Sequence, residues 1–316
     1  MSTPRTEPSR DSRPGYPRGW FAVATADELE VGVVHPMRYF GLDLVGYRTS
    51  DGAPVVLEAH CPHLGAHMGK GGQVVDDCLR CPFHAWRFDA SGSCVEVPYA
   101  RAIPKQAKVR SFRAIDRNGL VFVHYDPTGA EPSYEIPILA AVGDPGWTAW
   151  RHGKLRLHTH SREILENVVD RGHFAPVHKN VPVEFENEFV GHRAIQRSVG
   201  HGMGEHRHTN YRLEATYYGP GFQITEMHSV VETLMYNAHT MVDEDTVDLR
   251  FGVMIQPGSN DARFNEAYVS AYVDVLMNGF RQDARIWEHK RWRDRPVLCD
   301  GDGPILKLRE WYAQYF

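Results

Sequence analysis

The chain has 316 residues and a formal net charge of -5, enough length for two domains of ordinary size and too little positive charge for a nucleic-acid surface. No apolar run approaches the ~20 residues that a bilayer crossing needs. Residues Met1 to Pro14 are polar and rich in Arg, Ser and Pro without an apolar core, so they read as a disordered tail rather than a signal peptide, and the protein is expected in the cytoplasm.

From Gly15 to Asp126 the signals are those of a small antiparallel β domain. Phe40 to Tyr47 and Pro54 to Ala59 flank Thr49-Ser50-Asp51-Gly52, whose Asp-Gly pair marks a hairpin turn. Ser91-Gly92 turns the chain into Cys94 to Val97. Val109 to Ile115 and Leu120 to Tyr125 form a second hairpin across Asp116-Arg117-Asn118-Gly119. Asp126 to Tyr134 is the best linker candidate, with two Pro and one Gly among polar residues.

Residues 127–316 form the second domain. Trp147 to His160 reads as a strand and Ser161 to Gly172 as a helix. Tyr211 to Tyr218, Phe222 to Val231 and Val247 to Ile255 read as strands of one larger sheet, and a long helix runs from about Asp261 to Arg293. The fold class expected is therefore α+β, an antiparallel β domain followed by a larger sheet with a long C-terminal helix.

Between the two hairpins stand Cys61-Pro62-His63-Leu64-Gly65 and Cys81-Pro82-Phe83-His84-Ala85-Trp86. Two thiolates on one iron and two imidazoles on the other are what a Rieske [2Fe–2S] centre needs, and the mixed ligation lets it carry one electron at a raised potential. Cys61, His63, Cys81 and His84 are its candidate ligands. The competing occupant is zinc, for which Cys78-Leu79-Arg80-Cys81 would supply a Cys-x2-Cys knuckle; a knuckle does not call for a Pro after each Cys or for Phe-His-x-Trp completing a loop. Cys78 then reads as a small buried hydrophobe beside the cluster. Of the five cysteines, Cys78, Cys94 and Cys299 remain without framework spacing, which fits a reducing compartment. In the Rieske proteins of membrane cytochrome complexes the two loops carry an extra cysteine pair joined as a disulfide; here the matching places are Ala66 and Phe83.

A second redox site is sought in Glu166-Asn167-Val168-Val169-Asp170-Arg171-Gly172-His173-Phe174-Ala175-Pro176-Val177-His178. Asp170 and His173 are three apart, so on a helix they share a face. A regular helix would part His173 from His178, and Pro176, by disfavouring helix at Ala175, lets the chain turn so that both imidazoles converge. Two histidines and one carboxylate on an otherwise open iron make the facial triad of Fe(II) oxygenases. The carboxylate comes from the long helix, where Asp283 interrupts an apolar stripe of Tyr268, Tyr272, Leu276, Phe280 and Trp287. A salt bridge from Asp283 to Arg281, Arg285 or Lys290 is the competing role, and Asp294 the competing ligand.

With both motifs in place, the chain resembles the oxygenase (alpha) component of a Rieske non-haem iron oxygenase over essentially Gly15 to Phe316. Within that family it is most similar to the oxygenase of 3-ketosteroid 9-alpha-hydroxylase and to cholesterol 7-desaturases. Gly279-Phe280-x-Gln282-Asp283-x2-Ile286-Trp287-x-His289-Lys290, Asp302-Gly303-Pro304 and Arg309-x-Trp311-Tyr312 resemble the steroid hydroxylase's C-terminal segment, and that likeness favours Asp283 over Asp294. Cys61-Pro62-His63-Leu64-Gly65-Ala66-His67 reads more like the desaturases.

The resemblance implies a Rieske domain over 15–126 and a helix-grip catalytic domain over 127–316, with a mononuclear non-haem Fe(II) on His173, His178 and Asp283. It also implies a homotrimer in which Asp170 bridges His173 to a cluster histidine across the interface. Ferredoxin and/or an NAD(P)H-dependent flavin reductase supply electrons, O2 is the oxidant, and the substrate is apolar and steroid- or sterol-like. Phe222, Met227 and Met235, within Tyr217 to Tyr236, are candidates for its pocket. Desaturation or demethylation of another natural product is the alternative reaction. Two readings from other classes are a pure electron carrier, against which the length of residues 127–316 argues, and a lipid-binding module with a vestigial iron site.

Overall fold

The structure, a computed structural model, describes residues 15–257 and 266–316. The tail expected over 1–14 and the first residues of the long helix expected from Asp261 lie outside the described residues. The N-terminal part contains β1 (Gly19–Thr25), β2 (His35–Tyr39), β3 (Leu42–Arg48), β4 (Pro54–Glu58), β5 (Gln73–Val75), β6 (Cys78–Arg80), β7 (Arg87–Phe88), β8 (Cys94–Glu96), β9 (Ser111–Phe112), β10 (Ala114–Arg117) and β11 (Leu120–Tyr125). They form three small antiparallel sheets in the orders β1-β11-β10, β2-β3-β4-β9 and β5-β6-β7-β8. The predicted Asn118-Gly119 turn joins β10 to β11 with φ of 58° and 79°, the left-handed pair that a two-residue hairpin demands and that Asn and Gly tolerate best.

The C-terminal part is one seven-stranded antiparallel sheet in the order β12-β18-β17-β16-β15-β14-β13. Its strands are β12 (Arg151–Leu157), β13 (Asn180–Val190), β14 (Arg193–Gly202), β15 (Asn210–Tyr218), β16 (Phe222–His228), β17 (Glu232–Met241) and β18 (Val247–Gln256). The helices are α1 (Ser161–Leu165), α2 (Phe174–His178), α3 (Glu266–Trp287) and α4 (Ile305–Ala313). The strands β13, β14 and β17 and the helix α4 carry no sequence expectation above. β17 is buried at nearly every position, so it has no alternation to reveal it, and β13 is an edge strand of charged and aromatic residues. The expected strand Trp147 to His160 shortens to β12, and α3 ends at Trp287, short of Arg293.

Two local expectations fail. Ser161 to Gly172 is not one helix: α1 passes into a 3₁₀ turn over Glu166–Val169, and Asp170 is extended, with φ -85° and ψ 92°. The β-branched pair Val168-Val169 and Gly172 weaken the helix there. Pro176 does not break helix at Ala175; it lies inside α2, whose N-cap is His173. At the third position of a helix the backbone N–H has no intrahelical acceptor, so a proline costs nothing there.

The two halves share a core. Trp20 on β1 is fully buried, its Nε1 donates to the Tyr134 carbonyl at 2.9 Å, and its backbone N–H donates to the Tyr134 hydroxyl at 3.2 Å. The linker candidate is thus pinned down where Tyr134 and Ile136 join Phe122, Tyr217, Phe222 and Trp311 in one apolar cluster. Among the described residues no helix is long and apolar enough to cross a membrane.

Candidate metal centres

The two cysteine loops share one backbone design. In the first, the Cys61 N–H donates to the Ala66 carbonyl at 2.9 Å and the Gly65 N–H to the Cys61 carbonyl at 2.9 Å. In the second, the Cys81 N–H donates to the Trp86 carbonyl at 2.8 Å and the Ala85 N–H to the Cys81 carbonyl at 3.1 Å. Gly65 and Ala85 occupy equivalent left-handed positions, φ 77° and 59°. Each loop therefore presents a buried cysteine at its base and a histidine near its tip.

The two thiols are neighbours, and so are the two imidazoles. The rings of His63 and His84 are 4.6 Å apart, and His63 stacks on Trp86 at 4.7 Å and 10°. Burial, together with the neighbouring Cys81 sulfur, pushes the Cys61 thiol up to about 11. A thiol held neutral in this way gives up its proton readily only to a metal. His63 Nδ1 is buried and has no hydrogen-bond partner, an unsatisfied atom that a metal bond would satisfy. This donor set fits an iron–sulfur cluster with mixed ligation. Cys78 stands apart on β6 and is half-buried rather than buried, so the Cys-x2-Cys alternative finds no support. Tyr99, which carried no sequence expectation, accepts a hydrogen bond from Trp86 Nε1 at 2.8 Å and so steadies the ring under His63.

In the second domain the expected residues meet at one point. His173, His178 and Asp283 each bring a ligand atom within 4.8 Å of the others, and His178 Nε2 is 3.2 Å from Asp283 Oδ1. The histidine rings lie 5.0 Å apart at 81°, one from the N-cap and one from the last residue of α2. A single helical turn thus brings them together, without the break that Pro176 was expected to provide. Lys179 ends the turn in the left-handed conformation, φ 57°. Asp283 is 7 % exposed on α3, and a carboxylate this deep requires a charged or metal partner. Arg281 and Arg285 do not pair with it, and Lys290 goes to Glu163 and Glu166 at 3.2 and 3.1 Å. Asp294 accepts from Trp292 Nε1 at 2.6 Å and lies outside the group.

His173 Nδ1 donates to the Asp170 main-chain carbonyl at 2.6 Å, with the Asp170 carboxylate at 3.6 Å. The contact foreseen for two residues on one helical face is therefore made by an extended residue, mainly through its backbone. It fixes the tautomer and leaves Nε2 free for a metal. Burial alone would push the Asp170 carboxyl up, but the hydrogen bond and charge of His173 outweigh it and hold it below the usual range. Asn167 Nδ2 donates to Asp283 Oδ2 at 3.4 Å and orients the carboxylate.

Above this triad opens a cavity of about 510 Å³, within the roughly 300–1,000 Å³ of small-molecule sites. Its apolar walls include Phe174, Leu213, Met227, Met235, Leu276 and Phe280. Of the three pocket candidates above, Met227 and Met235 line it while Phe222 is ordinary core. Gln196, Gln223 and Asn237 add amides to the walls; strands β14 and β17 were not foreseen, so two of these amides could not be placed. Asn237 is buried with its Oδ1 unpartnered.

The remaining signature residues clamp the site. Glu166 accepts from Arg309 Nε at 2.9 Å and from Lys290 at 3.1 Å. Arg309 and Arg162 lie over the Trp292 ring at 3.7 and 4.0 Å. Tyr312 meets Ser161 Oγ at 3.1 Å and Trp311 Nε1 donates to the Gly191 carbonyl at 2.8 Å.

Comparison with known proteins shows the family. Residues 19–113 match the Rieske [2Fe-2S] domain and residues 123–316 the 3-ketosteroid 9alpha-hydroxylase C-terminal domain. The chain is 36% identical over 320 residues to a probable 3-ketosteroid-9-alpha-monooxygenase, oxygenase component, of Rhodococcus rhodochrous, covering 95% of this chain and 80% of that one. It is 30% identical over 343 residues to the cholesterol 7-desaturase of Caenorhabditis elegans, covering 97% and 78%. The fold is similar to that of dicamba monooxygenase bound to dicamba, with a TM-score of 0.76, 20% identity and coverage of 94% and 96%.

Proposed function

The chain belongs to the Rieske oxygenases with a 3-ketosteroid 9α-hydroxylase type of catalytic domain, and from that premise we propose that it hydroxylates an apolar polycyclic compound of steroid or sterol kind. It is the oxygenase component of a multicomponent system and uses a [2Fe–2S] cluster and a mononuclear non-haem iron. The convergence of His173, His178 and Asp283 on a largely apolar cavity carries the reading.

In this reading Cys61, His63, Cys81 and His84 hold the cluster, and His173, His178 and Asp283 hold the mononuclear iron. When bound, these groups supply single electrons and activate dioxygen. The residues around them orient, exclude water and hold protons. The Asp170 carbonyl keeps the proton of His173 on Nδ1, and Asn167 fixes the Asp283 carboxylate. Phe174, Leu276 and Phe280 exclude water from the reacting centre and hold the substrate against it.

The units proposed are a Rieske domain over 15–126 and a catalytic domain over 127–316. Leu64, Phe83 and Tyr99 are exposed apolar side chains around the tips of the cluster loops, and such a patch supports a covering partner. A homotrimer fits, with the cluster of one subunit facing the mononuclear site of the next. The Asp170 carboxylate, 45 % exposed, would there reach a cluster histidine of a neighbouring subunit. Ferredoxin or an NAD(P)H-dependent flavin reductase delivers the electrons, and the protein works in the cytoplasm.

The test is a single turnover. The reduced protein is mixed with a pool of 3-keto steroids and labelled dioxygen, and products are read by mass. Gain of one labelled oxygen supports the proposal. The likeness to cholesterol 7-desaturase favours a second reading, for which the product loses two hydrogens and gains no label. Oxidation of the cluster without any steroid product overturns the substrate assignment.

A further inference from the structure

We propose that Asp43, His60 and His67 form a site for a divalent cation of zinc type at the base of the first cysteine loop, separate from both iron centres. Their ligand atoms all lie within 4.8 Å of one another. His60 Nε2 is 3.3 Å from Asp43 Oδ2; two ligands of a tetrahedral zinc, each about 2.0 Å from the metal, are separated by about 3.3 Å. The two histidine rings stand 5.0 Å apart at 82°.

The hydrogen bonding of His60 points the same way. Its Nδ1 lies 3.1 Å from the Gly65 carbonyl, an acceptor, so Nδ1 carries a proton. Nε2 is then the ring atom turned to Asp43 Oδ2, an ion pair when protonated and two ligand atoms side by side when a metal replaces the proton.

The scaffold is built before any ion arrives. His60 and His67 are antiparallel bridge partners at the two ends of the loop, and the Ala59 N–H donates to the Asp43 carbonyl at 2.9 Å. Asp43 and His67 line a cleft of about 580 Å³ whose other walls include Glu28 and His35 from the first domain and Arg156 and Asp248 from the second. That cleft gives an ion a route in and room for a water as fourth ligand. The nearby cations set the limits. Arg38 NH1 holds Asp43 Oδ1 at 2.8 Å but leaves Oδ2 to the ion, and Lys70, Lys154 and Arg156 line the cleft farther along. His67 Nδ1 accepts the Gly69 N–H at 3.1 Å, and binding gives up that bond.

An ion here would staple residues 60 and 67, the frame on which Cys61 and His63 stand. It would couple zinc availability to the rigidity of the cluster loop.

The test uses the full-length protein with both iron centres loaded, freed of loosely held metal and titrated with zinc chloride alone. Calorimetry should give one zinc per chain with iron content unchanged, and cobalt(II) should give the visible bands of a low-symmetry tetrahedral ion. Asp43→Asn, which lies outside the cysteine loop, should weaken zinc at least tenfold, and His67→Gln should remove binding. Arg38→Ala, which frees Asp43 from its competitor, should tighten it. Zinc binding that is equal in the wild type and Asp43→Asn, or that displaces iron mole for mole, overturns the proposal.

Discussion

His178 Nε2 lies 3.2 Å from Asp283 Oδ1, joining the single turn of α2 to the long helix α3. The carboxylate is buried and its other oxygen is held by Asn167. Such a pair without a metal would leave most of the carboxylate's desolvation uncompensated. Asp283→Ala is therefore expected to lose the mononuclear iron while keeping the cluster. Total iron should fall by about one third, acid-labile sulfide and the visible spectrum should not change, and turnover should fall at least ~100-fold. Retention of full iron content would refute the ligand assignment.

Asp170 touches His173 through both carbonyl and carboxylate, but only the carboxylate is altered in Asp170→Asn. This variant should keep both metals and slow electron transfer between them by roughly 10–100-fold, the usual cost of disturbing a group that orients a metal ligand. Stopped-flow reoxidation of the cluster, with substrate and oxygen present, measures it. A rate equal to the wild type sinks the bridging role.

The two parts of the chain are joined by a buried ionic network. Tyr39 donates to Asp248 Oδ2 at 3.0 Å, Arg156 Nε reaches Asp248 Oδ1 at 2.7 Å, and Arg250 bridges Tyr39 and Glu28. Burial pushes the Asp248 carboxyl up, but the Arg156 hydrogen bond and the charges of Lys154 and Arg156 outweigh it and lower the value. A carboxyl lowered on folding stabilises the fold above its unfolded value of about 3.9, and this is lost as the pH falls through the folded value. Stability at neutral pH should drop by about 1–3 kcal/mol in Asp248→Ala, which removes the acceptor of Tyr39 and Arg156. Below about pH 4 the gap between variant and wild type should narrow. A gap that widens in acid would contradict the sign.

Gly303 explains part of the C-terminal signature. A Cβ at this position would overlap the Val169 carbonyl oxygen, immediately before Asp170. Gly303→Ala should displace the segment that leads into α4, costing about 1–3 kcal/mol as overpacking does. The effect should appear as lower thermal stability and weaker mononuclear iron binding with an intact cluster spectrum. Unchanged iron affinity would show that the clamp does not support the site.

Ala215 is buried on β15 and lines the cavity. Ala215→Phe should fill part of the ~510 Å³ space, leave iron content unchanged and abolish product formation from large ring substrates. Isothermal titration with the 3-keto steroid pool checks it; wild-type affinity would place the substrate elsewhere.

The candidate donors were legible in the sequence because they are local. Cys61 to Ala66 and Cys81 to Trp86 each close within one turn, and His173 and His178 meet across one turn, so short-range spacing points to them. Asp283 was legible as a candidate because a carboxylate in an apolar stripe contradicts its surroundings, but a salt bridge and Asp294 competed with it until the likeness of the C-terminal segment favoured Asp283. Asp170 was found for an incomplete reason: spacing suggested a shared helical face, whereas the contact comes from an extended backbone. Tertiary structure alone decided the rest. Asn237 sits on a strand whose burial on both faces removes the period that marks a strand, and Gln196 reaches the cavity only through the pairing of β14 within the sheet. Glu166 meets Lys290 and Arg309 only after α3 and α4 pack back on the 3₁₀ turn. Sequence spacing reaches a few residues along the chain; the shape of the cavity depends on contacts made by folding the whole sheet.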